Sequence, residues 1–122
     1  MLDKSIFDAL SKTSGYMGAI LSDYTGEVLV ADNGKVRKGL DETSMRFNEN
    51  FRDIHDITEA LSLGHTQTMD IKADNATIVM ACSGTNARSH LHAFVIMEPT
   101  GSIGLAKIAL KKILEDAVKE LS

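Results

Sequence analysis

The chain has 122 residues, of which 43% are hydrophobic and 25% charged. That is the composition of one ordinary globular domain, expected to span 1–122, and it excludes disorder, collagen and coiled-coil arrays. Thirteen Lys and Arg against seventeen Asp and Glu leave a net charge of −4, the wrong sign for a sequence-independent nucleic-acid binder.

Taken in chain order, Leu2, Ile6, Leu10 and Thr13 recur at helical intervals and predict a first helix over 2–13, with Asp3 near its start and Ser14-Gly15 at its end. Residues 17–22 form a short apolar run. Asp23-Tyr24-Thr25-Gly26 supplies turn chemistry and 27–31 reads as a strand, so 17–31 is a predicted hairpin. The run Lys35, Arg37, Lys38 reads as a solvated loop. Asp41 is positioned to cap a helix over about 42–63, on which Phe47, Phe51, Ile54, Thr58 and Leu61 make one narrow apolar stripe. Asn50 and Ile57 sit beside that stripe.

Three strands are then expected, at 65–71, 76–82 and 91–97. The last two are apolar on both faces, so both faces must be covered. A final helix over 103–121 places Ile103, Ala106, Leu110, Ile113, Leu114, Ala117 and Leu121 on one face and Lys–acid pairs four apart on the other. The element order is α-β-β-α-β-β-β-α. Short hairpins imply antiparallel pairing, and helices on both sides imply a three-layer α/β/α sandwich on a five-stranded antiparallel sheet, in the α/β (α+β) class.

No phosphate-binding loop and no dinucleotide fingerprint occurs. Gly15–Gly18 and Gly101–Gly104 each match G-x-x-G, which close packing and turns explain. His90 and His92 share one strand face, and His55 or His65 could join them around a metal. No Asp or Glu at comparable spacing completes such a set, so neither a metal nor a cofactor is expected. Cys82, the one cysteine, excludes a disulfide framework. It ends an apolar strand with no base adjacent in sequence, and reads as a small buried apolar residue. No catalytic residue is found. No apolar run approaches the ~20 residues that span a bilayer. Asp3, Lys4 and Asp8 interrupt the N-terminus where a secretory signal would be apolar. A cytoplasmic protein acting on neither membrane nor nucleic acid is expected.

The stretch Gly18-Ala-Ile-Leu-Ser-Asp-Tyr-Thr-Gly-Glu-Val-Leu-Val-Ala31 resembles the first hairpin of the Roadblock family. The tail is similar too: two apolar strands around a turn, ending near Pro99, then a long closing helix. The resemblance implies a homodimer paired through the third strand and second helix into a ten-stranded sheet. It also implies a non-enzymatic role as a dynein light chain-like scaffold or as a regulator of a small Ras-like GTPase. The residues add one point of their own: the third strand carries Thr66, Thr68 and Met69 with no Pro and no central Lys, an edge open to pairing. The expected dimer interface is therefore Ile57, His65, Thr66, Thr68 and Met69, and the expected partner surface is Asn50, Asp53 and Ile57. The competing expectation is a small-molecule sensing module with a pocket between sheet and helix.

Overall fold

The computed structural model describes residues 2–36, 39–84 and 87–121. Arg37 and Lys38 of the basic run lie outside the described residues.

A 3-10 turn, Lys4–Phe7, runs directly into a single helical turn, α1 (Asp8–Ser11). Asp3 caps the turn by accepting from the Ser5 amide at 2.9 Å. Strands β1 (Tyr16–Asp23) and β2 (Val28–Asp32) form the expected hairpin. Its turn is held by the Asp23 carboxylate, which accepts from the Thr25 and Glu27 amides, while Gly26 takes φ +98°. The long helix α2 (Leu40–Ala60) starts two residues earlier than the sequence implies. Asp41 does not cap it; the Leu40 amide donates instead to Asn33 Oδ1 at 2.7 Å, fastening the helix start to the end of β2.

Strands β3 (Thr68–Lys72), β4 (Thr77–Cys82) and β5 (Leu91–Met97) follow, and helix α3 (Ile103–Glu120) closes the chain. All pairings are antiparallel and the sheet order is β2-β1-β5-β4-β3. The expected five-stranded sandwich and its element order are what the chain forms.

Each face of the sheet carries its own core. On one face Phe7, Leu10 and the α3 residues Leu110, Ile113, Leu114 and Ala117 pack on Leu21, Val79, Val95 and Met97. On the other face α2 lays Leu40 and Phe51 on Ile20, Met80, Phe94 and Ile96. All seven residues of β5 are buried, as a central strand covered on both sides requires. Gly15, at φ +90°, lies so close to Gly101 that a Cβ would meet the Gly101 Cα at 2.5 Å. Here the two G-x-x-G matches meet through their first glycines. The contact joins the start of β1 to the lead into α3, with Ser102 N donating to the Ser14 carbonyl at 2.9 Å. No helix among the described residues is long and apolar enough to cross a membrane.

Candidate functional site

Helix α2 is turned differently from the expected stripe. Its buried residues are Leu40, Ser44, Asn48, Phe51 and His55. At about 100° per residue, this stripe is centred roughly 60° from the one built on Phe47, Phe51, Ile54, Thr58 and Leu61. The rotation leaves Phe47 and Ile54 half-buried along one flank. Ile57, 53% exposed, and the more exposed Leu61 continue it. A hollow of about 480 Å³ follows the same flank beside Leu40, Phe47, Asn50 and Ile96.

Strand β3 has one neighbour, β4, and a free outer edge. Met69 and Ile71 are half-buried and pack into the core under α2. Asp70 points to the other face and pairs with Lys107 of α3 at 2.5 Å. The Cys82 amide donates to the Gln67 carbonyl and the Ala73 amide to the Ala76 carbonyl. With the register Thr68↔Ala81 to Lys72↔Thr77, odd-numbered residues therefore bond inward to β4. In an antiparallel ladder the alternate residues face away, so the main-chain groups of Thr68, Asp70 and Lys72 line the free edge.

Of the expected interface residues, Thr68 and Met69 lie on this strand and Ile57 on the adjoining helix. His65 and Thr66 do not belong to the strand, which starts three residues later than expected. Thr66 is drawn inward: its amide donates to His55 Nδ1 at 3.0 Å and its hydroxyl bonds the Thr58 hydroxyl at 3.0 Å. Asn50 and Asp53 are exposed on α2. Together with Ile57 they fall within roughly 60° of arc on one side of the helix.

A polar cluster lies where α2 crosses the turn end of β4 and β5, and it brings His55 to His90 and His92 as the sequence allowed. It contains His55, Cys82, His90 and His92, and one ligand atom from each lies within 4.8 Å of the others. His65 is not among them. Cys82 is half-buried, not buried: its Sγ accepts from the Gly84 amide at 3.2 Å and lies 3.0 Å from His90 Nε2. His92 Nδ1 lies 2.6 Å from Asn48 Oδ1, and Asn48 Nδ2 donates to the Tyr24 carbonyl. Tyr24 stacks on the His90 ring at 4.6 Å between centroids, and the Arg52 guanidinium sits 4.4 Å over Tyr24. Burial pushes His92 down to about 3, with the neighbouring His90 and His55 acting in the same direction. His55 and His90 are also held below the ordinary imidazole value, chiefly by burial. Burial raises the Cys82 thiol, against the hydrogen bond from Gly84. A Cys–His pair with a raised thiol is not an activated nucleophile, which needs a lowered one. The histidines of the cluster were legible in the sequence through the His90–His92 spacing; the inward turn of Asn48 and the part of Cys82 were not.

These shifts fix a pH response. The folded His92 stays neutral, whereas its unfolded counterpart takes up a proton near pH 6.5, so the unfolded state binds more protons below that pH. The contribution of His92 to stability is fully present above pH 6.5 and is lost as pH drops toward 3, by about 1.4 kcal/mol per pH unit. Urea midpoints at pH 7 and pH 5, with chelator present, should fall across the interval, and His92→Gln should flatten the fall. A midpoint unchanged between the two pH values contradicts this.

A second hollow, an open groove of about 690 Å³, separates the β3–β4 edge from α3. Thr68, Cys82, Lys107, Ile108 and Leu114 line it.

No protein-family model matches the chain, and no curated protein matches it by sequence. Solved structures do match, and they define the fold as that of Roadblock/LC7 domains. The Roadblock/LC7 domain from Streptomyces avermitilis aligns at 11% identity over 98% of this chain and 97% of its own, with a TM-score of 0.82. Myxococcus xanthus MglB aligns at 14% identity over 96% of this chain and 92% of its own, with a TM-score of 0.81. The gliding protein MglB of Thermus thermophilus gives 17% identity, 92% and 87% coverage, and a TM-score of 0.72. The likeness read from residues 18–31 and from the tail is thus matched by the fold along nearly the whole chain.

Proposed function

We propose that this chain is a non-enzymatic, one-domain regulatory or scaffolding module. It pairs with a second copy through β3 and α2 and binds a small Ras-like GTPase, which it positions or modulates. The observation that carries the reading is the free edge of β3 beside the apolar flank of α2. Thr68, Asp70 and Lys72 turn their main-chain donors and acceptors to that edge, α2 exposes Ile57 and Leu61, and such an edge is normally covered. Pairing of two copies would set the two α2 helices side by side and form a composite surface rimmed by Asn50 and Asp53. A central apolar anchor within a polar rim is the usual anatomy of a protein-binding patch. The fold shared with MglB, named as a gliding protein in Thermus, is in keeping with a regulatory or scaffolding role for this chain. The raised thiol of Cys82 supports the non-enzymatic reading. The sensing alternative draws on the groove beside α3, but that groove is open where a sensor's pocket encloses its ligand.

Calorimetry against the Ras-like GTPase expressed alongside this chain, loaded with GDP and then with a GTP analogue, tests the proposal. Saturable binding is expected in at least one nucleotide state. Asp53→Lys should weaken it roughly tenfold, about 1.4 kcal/mol, without changing the fold, because Asp53 is exposed on the outer side of α2. No heat in either state, or nucleotide bound by this chain alone, overturns it.

A further inference from the structure

We propose that His55, Cys82, His90 and His92 form a binding site for one zinc-class divalent metal ion. Separate parts of this chain converge there: α2 brings His55, the end of β4 brings Cys82, and the turn and start of β5 bring His90 and His92. One observation independent of the clustering points the same way. His92 is 2% exposed, yet its Nε2 atom finds no hydrogen-bond partner among the described residues. Buried polar nitrogens are rarely left so.

The hydrogen bonds also prepare His92 as a ligand. Because Asn48 Nδ2 is spent on the Tyr24 carbonyl, Asn48 Oδ1 is the acceptor facing His92 Nδ1. The ring proton of His92 then sits on Nδ1, and Nε2 carries a free lone pair. An imidazole that donates its other N–H to a carbonyl or carboxylate is the usual arrangement of a metal-bound histidine. His90 Nε2 already lies against Cys82 Sγ. On binding, the Cys82 thiol gives its proton to solvent and the sulfur forms a bond to the metal. Cys82 and His90 are half-buried, so the ion has a way in.

His55 differs from the other three. Its Nδ1 accepts from the Thr66 amide, so the neutral ring carries its proton on Nε2 and can ligate only by releasing Thr66. We therefore assign Cys82, His90 and His92 as the primary ligands and His55 as the fourth, acquired when the loop before β3 shifts. In a tetrahedral zinc site, bond lengths near 2.0–2.3 Å place neighbouring donors roughly 3.3–3.7 Å apart. Donors already within 4.8 Å need move only about an ångström. Three imidazoles and a thiolate with no carboxylate suit zinc and exclude calcium and magnesium as the intended ion. In the sequence the histidines lack a carboxylate to complete them, and the donor that does complete them, Cys82, is disguised as packing by the apolar strand it ends.

The test is metal content and cobalt spectroscopy on the full chain. Purified protein dialysed against zinc should retain one ion per chain. Titration with cobalt(II) should give a thiolate-to-cobalt charge-transfer band and the intense visible bands of a tetrahedral site. Cys82→Ser should abolish the charge-transfer band and weaken zinc binding at least tenfold, and His90→Ala should weaken it similarly. His55→Ala should cost less than either. Cys82 and His90 are only half-buried, so circular dichroism of both variants without metal should match wild type, which separates lost ligation from lost folding. Substoichiometric zinc with no cobalt band, or a Cys82→Ser variant that binds zinc as tightly as wild type, overturns the assignment.

Discussion

Phe51→Ala should destabilise the chain by about 3–5 kcal/mol, the range for removing a fully buried phenylalanine. Phe51 is 0% exposed. Only two of the five buried residues of α2 are large and apolar, Leu40 at its first turn and Phe51 near its middle. Phe51 is the one fully buried ring by which the helix holds the sheet, with Leu40 and the half-buried Phe47 beside it. The ring also packs 4.9 Å from both His55 and His92, measured between centroids. Removing it opens space beside the histidines and weakens the wall that keeps His92 neutral. Urea unfolding at pH 7.5 measures the loss. Phe47→Ala, on the half-buried flank, should cost less, because part of that ring already meets solvent. A loss below about 1 kcal/mol for Phe51→Ala would mean that α2 is held mainly by its polar contacts.

Those polar contacts also explain what was legible in the sequence and what was not. Helix α3 is an apolar stripe against one core, and Ala106, Leu110, Ile113, Leu114 and Ala117 are buried as their spacing implies. Strand β5 runs Leu91–Met97 as its unbroken apolar run implies. In both, the apolar pattern places most of the buried residues, although β5 also buries His92 against Asn48 and Leu121 at the end of α3 is exposed. Helix α2 departs from that rule because polar partners wait on the sheet side. Asn48 turns inward to reach the Tyr24 carbonyl and His92, and His55 turns inward to receive the Thr66 amide. Counting only apolar residues places the stripe along Phe47 and Leu61, and the hydrogen bonds pull it round. The same pull explains the late start of β3. Thr66 is held by His55 and Thr58 and so is withdrawn from the edge. The first helix is the other departure. Of its expected apolar residues Leu10 is buried and Leu2 and Ile6 pack against the core, while the buried Phe7 lies outside that spacing, and the segment is a 3-10 turn and one helical turn. A helix this short owes its shape to packing more than to propensity.

Thr68→Pro should convert a dimer to a folded monomer. The substitution discriminates between the two because of the ladder's alternation. The inward-bonding residues of β3 are odd-numbered, as the Cys82–Gln67 and Ala73–Ala76 bonds show. The Thr68 N–H faces away from β4, and within the chain nothing in the β3–β4 ladder uses it. Proline lacks that donor and is tolerated on edge strands whose N–H side faces outward, so the monomer keeps its sheet. A dimer paired edge to edge loses one donor from each copy. At about 0.5–1.5 kcal/mol per hydrogen bond, the two losses together weaken association roughly ten- to hundredfold. Met69→Pro is the control: its N–H bonds inward, so that variant should damage the fold itself. Light scattering at micromolar concentration should give wild type at twice the monomer mass and Thr68→Pro at the monomer mass, with unchanged circular dichroism. A wild-type chain that runs as a folded monomer sinks the pairing, and with it the composite α2 surface on which binding of a GTPase depends.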